Sequence, residues 1–290
     1  MIRYITPQTR HQILEMWRVC FGDSQPYFDI YFRERYKDEN TLAYFVGDKA
    51  VASLQLLHYN FTYCGTEIPI AYISGACTLP EARKKGYMEV LLKRAFHEIA
   101  KRNIPLSLLV PEEKWLLGFY YKYGYAQTFD AGANIVLLDE LIKRHSNNLP
   151  SAYKEFDSMF REQEMTVQKT YDDFRIVVEE AAGYNFPPKK SLTGMARIID
   201  ARQMLYLFAK QYLDKSFSIE VTDAILPENN LIVAVNNGSV TAAKVKHTTH
   251  LQLTIHDLAQ ALLGYHTSAK EKLFKDVFPE HQPQIHFMME

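Results

Sequence analysis

The run Arg83-Lys84-Lys85-Gly86-Tyr87-Met88 has the residue types and the order that suit binding an anion. An apolar, strand-like pattern ends at Thr78, Pro80 opens a turn, and an amphipathic helical pattern begins at Gly86. The first turn of a helix leaves its backbone N–H groups unpaired, and the helix dipole makes that end positive. Gly86 lets the backbone approach a phosphate closely, and the basic triplet adds charge. Taken alone the triplet reads as a solvated basic loop; the order of elements around it favours the anion site. Other candidate groups are weaker. Cys20, Cys64 and Cys77 are scattered and odd in number, with no metal spacing, and Cys77 reads as a packed core thiol. His247, His250 and His256 match no zinc pattern, so no metal is expected. Neither a phosphate-binding G-x-x-x-x-G-K-[ST] loop nor a G-x-S-x-G elbow occurs.

The turn needs elements to hold it. Residues 2–5 read as a short strand, followed by two helices with broad apolar faces: Ile13, Leu14, Trp17, Val19 and Phe21 on the first, Phe28, Tyr31, Phe32 and Tyr36 on the second. Residues 42–46 and 51–63 flank Gly47-Asp48-Lys49 as a hairpin, and Cys64-Gly65-Thr66 leads into a strand at 68–78. The spacing predicts a helix over 86–101, with Val90, Leu91, Ala95, Ile99 and Ala100 on one side and Lys93, Arg94, Glu98 and Lys101 on the other. A strand at 106–110 and an aromatic helix at 115–123 follow, the helix stopping at Gly124. Two further strands reach Leu138. Ser146 to Pro150 and Pro187-Pro188 mark boundaries around a charged stretch that reads as largely helical over 153–182. Beyond it come a helix at 201–212, strands at 216–221, 231–235, 240–245 and 250–255, and a helix at 257–263 ended by Gly264.

Composition narrows the class. At 47% hydrophobic and 23% charged, the chain can build an ordinary globular core, and 290 residues suit two domains. A formal net charge of -1 argues against a nucleic-acid partner, which needs a surplus of Lys and Arg. The first residues carry no secretory pattern, and no apolar run approaches the ~20 residues of a membrane span. With three unpaired cysteines, a cytoplasmic location is the natural reading.

Residues 71–92, AYISGACTLPEARKKGYMEVLL, resemble the acetyl-CoA-binding segment of the GNAT acetyltransferases, through Pro80, Arg83, Gly86 and position 88. The family commonly has Gly or Ala where this chain has Met88, so that side chain must turn away from the pyrophosphate. Residues 105–111 and the run Gly118-Phe119-Tyr120-Tyr121-Lys122-Tyr123-Gly124-Tyr125 look like the family's next strand and helix. The resemblance implies that the strands at 68–78 and 106–110 splay apart around the thioester. It further implies that the backbone of Ala76 and Thr78 bonds the pantetheine, and that the amides from Lys84 to Met88 meet the phosphates. A Tyr keeps its proton at neutral pH and can protonate a departing thiolate; Tyr120 is the candidate by its place in the motif. Its aromatic neighbours make simple packing the competing reading.

Residues 191–290 resemble the sterol-carrier-protein-like domain that closes proteins of the enhanced-intracellular-survival (Eis) family. The matching stretches are 194–200, Ile219 to Asp223 with Pro227 and Asn229, and 258–265. In that family a second acetyltransferase-like domain lies in the middle; here only residues 146–190 separate the two ends. The family's terminal carboxylate reaches the acetyltransferase cleft as a general base, which makes Glu290 the second catalytic candidate. The expected architecture is α+β: a GNAT domain with a mixed sheet at 1–145, a helical linker or remnant at 146–190, and a sterol-carrier-protein-like domain at 191–290. The expected activity is acetyl transfer from acetyl-CoA to a primary amine of a small molecule. A catalytically quiet CoA-binding scaffold with a lipid- or partner-binding second half is the alternative, and a pure lipid carrier a third reading. Homo-oligomerisation is left open.

Overall fold

The computed structural model describes residues 1–132, 135–243 and 251–288. The first part runs β1 (Ile2–Tyr4), α1 (Arg10–Cys20), α2 (Gln25–Glu34), β2 (Thr41–Val46), β3 (Lys49–Tyr63), β4 (Thr66–Thr78), α3 (Tyr87–Lys101), β5 (Leu106–Leu109), α4 (Lys114–Tyr121) and β6 (Ala126–Phe129). Then come β7 (Ile135–Val136), α5 (Leu138–Arg144), α6 (Leu149–Phe160), β8 (Thr166–Gln168), α7 (Tyr171–Gly183) and β9 (Lys189–Lys190). The chain continues with β10 (Gly194–Ile198), α8 (Ala201–Gln211), β11 (Phe217–Thr222), β12 (Leu231–Asn236), β13 (Ser239–Ala242), β14 (Leu251–Thr254), α9 (Ile255–Leu262) and α10 (Lys272–Val277).

The main sheet has the order β1-β2-β3-β4-β5-β10-β6, with β8 added beside β3. All its pairs are antiparallel except β4 with β5. A second sheet, β13-β12-β11-β14, carries α8 and α9, and one apolar cluster joins the sheets from Phe61, Tyr72 and Leu108 to Ile219 and Leu253. The hairpin turns follow their residues: Cys64 and Gly65 have φ of 49° and 69°, and Asn237 and Gly238 have 46° and 73°, the left-handed pair a tight hairpin requires.

Helix α3 shows how burial departs from a simple reading of the helical stripe. Leu91, Leu92, Ala95, Phe96 and Ile99 are buried, whereas Val90 and Ala100, expected on the apolar side, are exposed. Glu98, expected on the polar side, is buried. It receives Tyr4 Oη at 3.1 Å, Lys101 Nζ at 3.2 Å and Arg94 Nε at 2.8 Å, so its charge is compensated.

Two segments bind the halves together. The stretch expected to be largely helical over 153–182 contains β8, which pairs with β3 through Phe61↔Val167. Helix α7 packs on α2, where Arg35 Nη1 meets Asp173 Oδ1 at 2.5 Å. Burial works against the Asp173 carboxylate, but Arg35 and Lys169 outweigh it and hold it below the usual carboxylate range. The first strand of the segment 191–290 lies in the main sheet: β10 fills the place between β5 and β6, with Met195 opposite both Leu109 and Gln127. Residues 130–193 thus enter the chain between two neighbouring antiparallel strands.

The apolar tail docks as an extended segment. Gln284 N donates to Met165 O at 2.8 Å, Val167 N to Gln284 O at 3.1 Å, and Leu192 N to Ile285 O at 2.7 Å. Glu290 lies outside the described residues, as do His247 and His250. His286 is buried in this tail, stacked on Phe160 at 3.7 Å, and neither ring nitrogen has a hydrogen-bond partner. Burial, with Lys169 adding to it, holds its pKa well below the ordinary 6.5. The unfolded chain therefore takes up this proton near pH 6.5 and the folded chain only far below it. Stability is full above that pH and falls by about 1.4 kcal/mol for each pH unit beneath it. Urea midpoints at pH 7 and pH 5 should show a loss of about 2 kcal/mol more in the native sequence than in His286→Phe.

Candidate functional site

The site begins where β4 and β5 part. Their parallel pairing covers Ile70↔Leu106, Ala71↔Ser107 and Tyr72↔Leu108 and then ends. Beyond it β4 stays with β3 as far as Ala52↔Thr78, while Leu109 of β5 turns to Met195 of β10. The result is a wedge in the sheet, with residues 73–78 on one wall.

That wall carries a bulge. Ser53 pairs with Cys77 and Gln55 with Ser74, so Gly75 and Ala76 share the space opposite Leu54. Gly75 has φ +57°, and a Cβ there would stand 2.3 Å from Cζ3 of Trp17, so both the conformation and the space demand glycine. The bulge is held from behind by α1 and α2. Tyr31 Oη donates to Gln55 Oε1 at 3.0 Å and lies 2.9 Å from Ser74 Oγ, and Trp17 Nε1 donates to Asp23 Oδ2 at 2.6 Å. A bulge re-aims the backbone groups beside it, here those of Gly75 and Ala76.

The basic turn follows. Arg83, Lys84, Lys85 and Gly86 are exposed, and Arg83 Nε donates to Thr78 O at 3.2 Å, tying the turn to the strand end. Gly86 is the N-cap of α3 with φ +78°, and no side chain caps the helix. A Cβ at Gly86 would meet nothing within 4 Å, so the space beside this N-cap is open. Tyr87 stacks on Tyr44 at 4.6 Å, and Met88 packs against the α3 core cluster. The Met88 side chain therefore turns inward, and its size does not obstruct the helix start.

Tyr120 sits on α4 across from this wall. It is 8% exposed, with its ring edge-on to Phe119 at 5.2 Å and to Tyr125 at 5.9 Å. Burial, with Cys77 of β4 as a lesser influence, raises its pKa, so the phenol keeps its proton. The helix ends at Tyr121, before the expected stop, and Gly124, φ +86°, closes the turn that follows. Two groupings had weaker signals in the sequence. One is the Trp17–Tyr31–Gln55–Ser74 buttress, announced only by a glycine inside a strand pattern. The other is a buried network under α4. Arg197 Nη2 reaches Asp223 Oδ2 at 2.9 Å, Asn229 Nδ2 donates to Asp223 at 3.0 Å, and Asn229 Oδ1 accepts Ala201 N at 2.9 Å.

Elsewhere, a cavity of about 580 Å³ opens among Asp130, Phe160, Ser191, His266, His286 and Phe287 and shares no residue with the wedge or the turn. Among the described residues, no cluster of His, Cys, Asp or Glu could hold a metal, and no helix is long and apolar enough to cross a membrane.

Comparison with known proteins agrees with this arrangement. Residues 1–128 match the model of an acetyltransferase (GNAT) domain, and residues 196–278 that of a sterol carrier protein domain. A comparison with curated protein sequences found no match. Among solved structures, a GCN5-related N-acetyltransferase from Anabaena variabilis is similar over 98% of this chain and 96% of its own, with 17% identity and a TM-score of 0.67. One from Kribbella flavida covers 98% of each chain at 13% identity and a TM-score of 0.65. Eis1 from Mycobacterium abscessus covers 91% of this chain and 89% of its own at 14% identity and 0.58. At such identities the likeness is one of fold. The chain thus joins a GNAT acetyltransferase domain at residues 1–128 to a sterol carrier protein domain at residues 196–278.

Proposed function

We propose that the chain transfers an acetyl group from acetyl-CoA to a primary amine of a small molecule. The observation that carries this reading is the bulged wall of the wedge leading directly into the basic helix start at Gly86. The open space at Gly86 and the uncapped first turn of α3 fit a pyrophosphate. The amides of Ala76 and Thr78 would hold the pantetheine, and those from Lys84 to Met88, with Arg83 beside them, the phosphates. Acetyl-CoA supplies the activated acyl group. An amine nitrogen forms the new bond to the acyl carbon as the carbon–sulfur bond breaks. Tyr120, kept protonated by burial, gives its proton to the departing sulfur. The chain terminus at Glu290 takes the proton of the amine. This last role is supported by the tail being buried as far as Met288, whose Sδ lies 2.9 Å from Lys169 Nζ, itself over the Tyr59 ring of β3.

The test is thiol release from acetyl-CoA across a panel of amines, with deletion of Met289 and Glu290 as a second arm. Tight CoA binding without turnover on any amine would make the domain a CoA-binding scaffold instead. Unchanged turnover and pH profile in the truncated chain would remove the terminus from the mechanism. In calorimetry, the double variant Arg83→Ala/Lys84→Ala should bind acetyl-CoA about tenfold more weakly at low salt, because each lost cation contributes a charge-assisted contact. The difference should shrink as salt rises, since both side chains are exposed.

A further inference from the structure

We propose that Cys20 and Cys77 form a reversible disulfide under mild peroxide, closing the end of α1 onto β4. Cys20 is the last residue of α1, partly exposed, and its Sγ lies 3.6 Å from the carbonyl oxygen of Thr78. Cys77 directly precedes Thr78, is buried, and has Ser53 Oγ at 3.5 Å from its Sγ. Both side chains belong to the apolar cluster between α1 and the sheet, where Ser53 Oγ also lies 3.4 Å from Met16 Sδ of α1. Cys64 is excluded as a partner. It sits in the turn at the other end of the β3–β4 hairpin, and the twelve residues from Thr66 to Cys77 span roughly 36 Å of strand.

The surroundings divide the roles of the two sulfurs. The Cys77 S–H and then the Arg83 guanidinium favour the Cys20 thiolate, against burial, and pull its pKa below the usual thiol value. Cys77 is driven the other way, by its bond to Cys20 and by burial, and stays protonated. A partly exposed thiolate beside a resolving thiol is the arrangement that reacts with peroxide. The Cys20 thiolate attacks one peroxide oxygen, the O–O bond breaks, and hydroxide leaves behind a sulfenic acid. The Cys77 sulfur then displaces that oxygen, its own proton leaving with it as water. Two thiols are oxidised to one disulfide, and one peroxide is reduced to two waters. The proposal concerns two sulfurs and does not depend on acyl transfer. Its consequence for CoA does rest on the function proposed above. Cys77 stands between Ala76 and Thr78, and Arg83 is anchored on Thr78 O, so drawing this strand toward α1 would disturb the backbone expected to hold the pantetheine.

Intact mass and thiol titration after brief treatment with dilute hydrogen peroxide test it. The full chain should become about 2 Da lighter, with only Cys64 still titrating, and dithiothreitol should reverse both changes. Cys20→Ser should show no such loss. Cys77→Ala should instead gain about 32 Da at Cys20, because the resolving thiol is gone. If Cys77→Ala does not fold, peptide mapping of the oxidised native chain gives the same answer. All three thiols surviving, a bond to Cys64, or over-oxidation of Cys20 in the native chain would each overturn the disulfide. For the consequence, the oxidised form should bind CoA at least about tenfold more weakly than the reduced form in calorimetry. Equal affinity would refute the coupling while leaving the disulfide standing. A reduced form that does not bind CoA at all would refute the functional reading instead.

Discussion

Gly124→Ala is expected to cost about 4 kcal/mol or more of folding stability, enough to leave much of a marginally stable chain unfolded. Gly124 has φ +86°, a conformation that costs an L-residue about 1–2 kcal/mol. The larger cost is steric. A Cβ there would stand 1.5 Å from Nη1 of Arg197 and 2.7 Å from its Cζ, so the guanidinium must move. Arg197 is fully buried, lies over the Phe96 ring at 4.6 Å, and has Asp223 as its ion partner. Burial lowers the Arg197 pKa despite that partner. Burial also opposes the Asp223 carboxylate, yet Arg197 and Asn229 hold it below its usual range. Breaking such a pair leaves an uncompensated buried charge, at about 3–5 kcal/mol. Urea unfolding should show a lowered midpoint with little change in slope. In a background with Arg197→Met and Asp223→Leu, itself destabilised because Asp223 accepts from Ile225 N, Leu226 N and Asn229 Nδ2, Gly124→Ala should cost only the backbone strain. If Gly124→Ala costs as much in that background as in the native one, the clash with Arg197 is not the cause.

This network also shows why parts of the molecule resist reading from sequence. Arg197, Asp223 and Asn229 stand out singly as members of matching stretches, but nothing in their spacing says that they meet. Their contact depends on β10 leaving the second half to fill the gap between β5 and β6. Strand pairing at long range depends on which edges are left open after the first part folds. The pattern of Gly194 to Ile198 is the same whichever sheet receives it. Strand β8 was hidden for a related reason: three residues carry too little periodicity to stand out between two helices. Glu98 is buried, against expectation, where Tyr4 from a distant strand reaches over the helix to it.

The turn was legible because its signal is local. A strand end, a proline, a glycine at the helix N-cap and basic side chains all fall within the stretch from Thr78 to Gly86, and local geometry alone positions them. The bulge was half legible. Gly75 in a strand pattern marks an irregularity, but its partners Trp17 and Tyr31 come from helices that precede the strand by dozens of residues. Met88 illustrates the converse. The sequence shows only a large residue where a small one is common, and the packing of α3 is what turns it inward.

Tyr120→Phe is expected to lower kcat by about 10²-fold or more, with the KM for acetyl-CoA little changed. Tyr120 is 8% exposed and lies edge-on to Phe119 and Tyr125, so losing one oxygen leaves the packing nearly intact. Burial raises its pKa, so the hydroxyl remains a proton donor throughout the neutral range. In the mechanism proposed above, Tyr120 would protonate the sulfur as negative charge forms on it. Removing it takes away stabilisation present in the transition state and absent from the bound substrate, which appears in kcat and kcat/KM alike. A tenfold change corresponds to about 1.4 kcal/mol, so the predicted loss is about 2.7 kcal/mol of transition-state stabilisation. The packing reading makes the opposite prediction: an unchanged kcat and an unfolding midpoint within about 0.5 kcal/mol of native. Because the two readings agree on stability and differ on turnover, a folded, CoA-binding Tyr120→Phe chain with native kcat would exclude the proton-donor role.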